Sequence, residues 1–364
     1  MSETETETET KADAAEQKLE IRASRLFAAW LGDSGASLAF TTYQAGKLFL
    51  IGTQPDGRMS VFERTFMRSM GLGVSSAAAR TFHMSSLFQL WRFENFLAPG
   101  ETHQGYDAVY VPVNGHTTGD IDVHDIHGID GEPPLFVATR FNCLARLSTD
   151  HSFRPVWKPP FIDRIAAEDR CHLNGMAMGA EGDLPAYVTC ISQSNVAEGW
   201  REHRIGGGVV VDVDSGDLVA TGLSMPHSPR LHDGTLWLLQ SGTGEFGRVD
   251  VKTGAFEPVC FLQGFARGVA FIGDHAVIGL SRPRSEASFV GLPVNERLEK
   301  EGVQPKCGLA VVNLKCGDIE HTRDIEGVVE ELYDVAVLPG IRRPMALGFK
   351  TNEIRFMIRP EALD

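Results

Sequence analysis

The residues best suited to chemistry stand where short apolar runs begin. Asp125 and His127 occur in HDIHGID, His172 and Asn174 in CHLNGMAM, and His227, Ser228 and Arg230 in PHSPR. Arg267 occurs in ARGVAF, and Tyr333 with Asp334 in LYDVAV. If each apolar run is a strand facing a common axis, aligning on the following Gly or apolar residue stacks His127, Asn174, His227, Arg267 and Asp334 around it. His172 is one strand period from Asn174 and falls on the same side. Converging polar groups are costly unless they pair or bind something. One reading is a water-filled channel whose lining satisfies backbone ends and ordered water. The other is a ligand or metal site.

The metal form is the sharper expectation. Neutral imidazole is the commonest transition-metal ligand, and three histidines with one open position make a catalytic site. His127, His172 and His227 come from three consecutive repeats and are the expected ligands. Asp125 or Asp334 would add a carboxylate or hold an imidazole N–H. Zn²⁺ is the expected divalent ion, ahead of Fe and Mn. Such a metal would polarise a substrate oxygen or activate water, which points to a metal-assisted hydrolase or lyase. Asp334 would serve as acid–base group, Arg267 would clamp a substrate carboxylate or phosphate, and Asn174 completes the catalytic set. Arg267 has a structural alternative, an ion pair with Asp334 across the channel. Arg140, Arg170 and Arg230 would reinforce a pocket for a small polar or anionic molecule. The competing function is a non-catalytic propeller module that binds a ligand or a protein.

These residues need a scaffold of strands. From Gly35 onward the chain is a series of short runs rich in Val, Leu, Ile and Phe, most of them bounded by Gly, Asp, Pro or Ser. Apart from a segment near 295–300, no long helical period follows residue 35, which excludes an alternating β/α architecture. A sandwich, barrel or propeller remains. A repeat decides between them: 207–223, 244–262 and 307–325 share one hairpin signature with a glycine turn. His227 and Arg267 are 40 residues apart, the length of one four-stranded blade. Inner strands near Met70, His127, Asn174, His227, Arg267 and Asp334 make six. LAFTTYQAGKLFLIG reads as the second and third strands of a blade whose first strand is YDVAVLPG, so both ends of the chain close the ring and remove free edges. The expected fold is all-β, a six-bladed β-propeller over 35–345, with seven blades as the alternative count. A disordered acidic tail (1–12), a helix (13–32) and a C-terminal extension (346–364) flank it.

Composition excludes several functions. The net charge of −14 opposes a nucleic-acid surface. No apolar run approaches the roughly 18 residues of a membrane span. The acidic first twenty residues lack a secretory h-region, which points to the cytoplasm. The six cysteines show no CxxC spacing and read as reduced and mostly buried. Leu19, Leu26, Phe27, Trp30 and Leu31 form one helical face, which would pack on the β core or hold a protein partner. SGTGEFG reads as a turn. The loop 192–203, with Trp200, is a lid or a packed loop, and 282–306 is a long insertion. A nucleophilic Cys171 is the minority reading beside a buried one. His83, His103, His116, His124 and His232 read as surface or turn residues.

The blocks RFNCLARLS, WKPPFI, AAEDRCHLNGMAM, LSMPHSPR, LWLLQSGTGEFGRVD, GFARGVAF and GLSRPR, in this order, resemble an uncharacterised bacterial propeller family. Its members are known as conserved hypothetical proteins, at times joined to tetratricopeptide repeats. The resemblance spans roughly 35–345 and implies the propeller fold. It brings no reaction and no catalytic residue.

Overall fold

Strands of Val, Leu, Ile and Phe that are apolar on both faces must be covered on both faces. The computed structural model, which describes residues 19–75, 78–180, 183–282 and 290–360, does this by standing six small antiparallel sheets around an axis. Blade 1 is built from Leu332–Pro339, Ala36–Thr42, Lys47–Thr53 and Met59–Thr65, in that order from the axis outward. The inner strands of blades 2 to 6 are Leu72–Val74, Val123–Ile129, Leu173–Met178, Pro226–His232 and Phe265–Ile272. The structure is therefore the six-bladed propeller. Its ring closes as the sequence predicts, with Leu332–Pro339 antiparallel to Ala36–Thr42 and Leu38 opposite Val337.

The core is a set of layers between blades. Leu38 and Phe40 face blade 6, where they meet Val277 and Leu309. Their neighbour Ala39 faces blade 2, with Phe82 and Tyr110. Every residue of Ala36–Thr42 is buried, which explains why these runs read as continuous rather than alternating apolar segments.

A second device ties blade to blade. Near the end of each second strand, a buried hydroxyl reaches the start of the next blade's inner strand. Thr41 donates to the Met70 carbonyl. Ser85 donates to Val123 O at 3.1 Å, Thr139 to Leu173 O at 2.7 Å, Ser241 to Ala266 O at 2.6 Å, and Ser281 to Leu332 O at 2.9 Å. In blade 4 the link has an extra member. Thr189 donates to Asn174 Oδ1 at 2.8 Å, and Asn174 Nδ2 donates to Pro226 O at 2.9 Å. Asn174, expected in the catalytic set, is thus committed to this clamp.

The flanks differ from expectation. Where the sequence suggested one helix over 13–32, Glu20–Ala23 is a strand added to the outer edge of blade 6, paired with Arg323–Glu326. The helix is only Phe27–Asp33, and Phe27 and Leu31 are buried against blades 6 and 1. Of the apolar face expected there, Phe27 and Leu31 pack on the ring while Leu26 stays exposed. The expected tail, 1–12, lies outside the described residues. At the other end, Pro344–Ala346 adds a parallel strand to blade 2 beside Ala108–Tyr110. No described helix is long and apolar enough to cross a membrane.

The clamps predict a specific cost. Ser241→Ala leaves a buried carbonyl without its partner and should lower stability by about 1–3 kcal/mol. Urea unfolding should show a lower midpoint with an unchanged slope.

Candidate active site

Counting from the first residue of each inner strand brings the polar residues into register. In blades 3, 4, 5, 6 and 1 the second positions are His124, Asn174, His227, Ala266 and Tyr333, and the third are Asp125, Gly175, Ser228, Arg267 and Asp334; blade 2 has Gly73 and Val74 there. The residues just before the strands of blades 3, 4 and 5 are Asp122, His172 and Met225, with φ of 58°, 51° and 47°. Left-handed backbone at non-glycine positions stores strain and gathers at functional sites. Register irregularities between His227 and Arg230, and between Arg267 and Val269, re-aim these side chains toward the axis.

Arg230 divides the channel. It makes two hydrogen bonds to Asp125, at 2.7 and 3.1 Å, and also donates to the carbonyls of Met176 and Pro229. Asp334 Oδ1 lies 3.9 Å away. Both acids also hold backbone. Asp125 accepts Met176 N–H at 3.0 Å, and Asp334 accepts Leu72 N–H and Val335 N–H, each at 2.8 Å. Burial, reinforced by Asp125, raises the Asp334 carboxyl to about 7 against the opposing pull of Arg230. This plug separates an upper chamber, at the strand beginnings, from a lower bowl further along the strands.

The upper chamber is a small space of about 10 Å³, the room one water occupies. His124, His227, Arg267 and Tyr333 line it. The imidazole tautomers follow from their partners. His124 Nδ1 faces Asp122 O at 3.0 Å and His227 Nδ1 faces Met225 O at 2.9 Å. A carbonyl only accepts, so each Nδ1 carries the proton and each Nε2 keeps its lone pair. Burial pushes His124 down to about 4 and holds His227 well below the ordinary histidine value, with the Arg267 charge next in effect for His227. Both are neutral at pH 7. His227 Nε2 and the Tyr333 hydroxyl are buried without a hydrogen-bond partner among the described residues.

His172 sits above, its ring 4.8 Å from that of His124. Its Nδ1 is 2.9 Å from Asp169 Oδ2, and the same oxygen accepts Trp200 Nε1–H at 2.8 Å. Burial opposes the Asp169 charge, but His172 and Trp200 together hold the carboxyl below its usual range. The Trp200 ring lies against His172, tilted by 34°, with ring centroids 4.3 Å apart. It belongs to a roof in which Ile191, Met225 and Phe265 meet Leu292, Val294 and Leu298. The helix Pro293–Glu301 in the blade-6 insertion supplies the last two, so the loop 192–203 is packed against that insertion.

Several expected residues stand elsewhere. His127 lines the lower bowl, beyond the plug, and does not join His172 and His227. Aligning Gly128 with Gly175 slips the register by three residues, about 10 Å along a strand. The residue actually in that place is His124, which sequence reasoning put on the surface. Counting from the strand start would have found it. Among the described residues no three His, Cys, Asp or Glu side chains are grouped to hold a metal ion, so the donor set expected for Zn²⁺ is not assembled. The acid bonded to Arg267 is Glu331, at 2.6 Å, and both partners are buried. Glu331 and Asp169 escaped notice because neither lies inside an inner strand. Arg170 pairs with Glu168 and Asp163, and Arg140 with Asp120. The Cys171 thiol is buried and raised well above its ordinary value, which opposes a thiolate role.

Fold and site define a six-bladed propeller with a roofed cluster of buried titratable groups at its axis. The chain belongs to the family described as a domain of unknown function, DUF4915, whose match covers residues 25–347. A comparison with curated proteins found no match. Among solved structures the chain is similar to one in a nidogen/laminin complex, at 11% identity and a TM-score of 0.49, covering 84% of this chain and 99% of that one. It is also similar to virginiamycin B lyase from Staphylococcus aureus, at 12% identity and a TM-score of 0.37, covering 85% and 99%. A protein of unknown function from Bacteroides caccae shares 10% identity at a TM-score of 0.46, covering 83% and 98%.

The buried groups predict how stability varies with pH. His124 titrates near 6.5 when unfolded and near 4 when folded, so the unfolded chain binds the extra proton between these values. Stability is therefore lost as pH falls through that window, by up to about 1.4 kcal/mol per pH unit per group. His83, also at about 4, adds to this slope. Asp334 acts oppositely: its folded form holds the proton between about 4 and 7, so its contribution falls as pH rises. Denaturant unfolding from pH 7.5 to 4 should show a shallower acid slope in His124→Asn and a steeper one in Asp334→Asn.

Proposed function

We propose that the protein is a small-molecule enzyme of the hydrolase or lyase class, with its reacting groups in the upper chamber and, for His172 and Asp169, directly above it. One observation carries the reading. An oriented His172–Asp169 pair stands over a chamber in which His227 Nε2 and the Tyr333 hydroxyl are buried and unpartnered. A histidine whose Nδ1–H is held by a carboxylate presents Nε2 as a base. His172 would take a proton from water or from substrate, while Asp169 stabilises the resulting imidazolium. Tyr333, which burial keeps protonated, would donate to the oxygen that gains charge. His227 Nε2 would accept from a substrate hydroxyl or amine. Arg267, with its charge balanced by Glu331, would supply field rather than a free clamp. The chamber has room for one water or one hydroxyl-sized group of a small polar substrate, whose body would lie outside it.

The metal-assisted form of this reading needs His124 in place of His127, and the placed side chains do not assemble it. A cytoplasmic setting suits the six free cysteines.

The test is a turnover screen with small esters, lactones and β-hydroxy acids. Any activity found should fall about 10²–10⁴-fold in His172→Gln, while thermal unfolding shifts by only a few degrees. Unchanged turnover in His172→Gln sinks the proposal. Binding without turnover in the wild type leaves the non-catalytic module. Elemental analysis of wild type and His124→Ala runs alongside. About one Zn per chain, lost in the variant, supports the metal-assisted form, and none after reconstitution removes it.

A further inference from the structure

The lower bowl is a second cavity, independent of the proposed chemistry. Its volume is about 280 Å³, close to the range that holds small ligands. Met176, Met178, Phe271 and Val337 contribute apolar wall, and Arg230 with Asp125 forms the floor. The two methionines come from one strand of blade 4, and their flexible side chains let a wall adapt to its occupant.

The polar groups decide what the bowl accepts. The Arg230–Asp125 floor is a closed pair, and Arg230 is further occupied by two carbonyls. An anion entering here meets Asp125, and a cation meets Arg230. Neither finds a counter-charge without breaking the pair, and an unpaired charge in such a site is costly. His127 differs. Its imidazole lines the wall and makes no hydrogen bond or ion pair among the described residues. Burial lowers its pKa, so the neutral ring offers one donor and one acceptor.

We propose that the lower bowl binds a small, mainly apolar, uncharged molecule that carries one hydrogen-bonding group, which His127 receives. The apolar wall supplies affinity and the imidazole supplies orientation. The closed floor rejects charged heads. The upper chamber, with its dense set of titratable groups, plays no part in this binding.

Three probes of one shape test the idea: cyclohexanol, cyclohexylammonium and cyclohexanecarboxylate, titrated at pH 7.5 by calorimetry with saturation-transfer NMR. Cyclohexanol should bind with a Kd on the order of 1 mM and at least about tenfold more tightly than either ion, since a desolvated unpaired charge costs well over that factor. Ala270→Phe, which fills the bowl from blade 6, should abolish binding. His127→Val, a smaller change, should weaken cyclohexanol about three- to tenfold, the worth of one hydrogen bond. His172→Gln should leave binding unchanged, so failure here is separable from failure of the catalytic reading. Equal binding of all three probes, preference for an ion, or full retention in both bowl variants overturns the proposal.

Discussion

The structure rests on a repeated contact, a buried hydroxyl on one blade held by a carbonyl at the start of the next. Inner strands of a propeller are edge strands, and their channel-side backbone groups have no ladder partner. Thr41, Ser85, Thr139, Ser241 and Ser281 each satisfy one such group directly, and Thr189 does so through Asn174. A weaker second ring runs along the channel. Asp125, Ser228 and Asp334 each accept a backbone N–H from the inner strand of the following blade. Because every inner strand is pinned at its start, the residues there hold fixed positions around the axis, and a constellation of titratable groups can form.

Arg230 converts that ring into two compartments. Its guanidinium takes the charge of Asp125 and sits near Asp334, so the centre of the channel is a nearly balanced cluster. Above it, polar groups are close together and held by strained backbone. Below it, apolar walls surround a larger and more open space. The two spaces share a wall but differ in chemistry, which is why they are given different roles. In the same plug Asp334 accepts two backbone N–H groups and lies 3.9 Å from the Arg230 guanidinium.

The roof depends on elements far apart in sequence. Trp200 in the blade-4 loop is buried against the blade-6 helix and also fixes Asp169 through its indole N–H. Asp169 in turn orients His172. The pair would therefore respond to changes in the roof even though no roof residue enters the chamber.

How much of this was legible in the chain follows from the range of each interaction. The six blades, the closure of LAFTTY on YDVAVLPG, and the axial placement of His227, Arg267 and Asp334 follow from strand length, glycine turns and a 40-residue period, all local signals. The hydroxyl ring was equally visible, as Thr or Ser ending each second strand, but its meaning lies in the neighbouring blade. The short N-terminal strand was hidden because pairing with Arg323–Glu326 overrides a helical pattern. His124 and His127 were interchanged because the alignment was taken on Gly128, and only the start of the strand at Val123 says which one reaches the chamber. The partners of Arg267 and His172 could not be read at all. Glu331 and Asp169 stand outside the repeat, and their pairing is set by how the blades close around the axis.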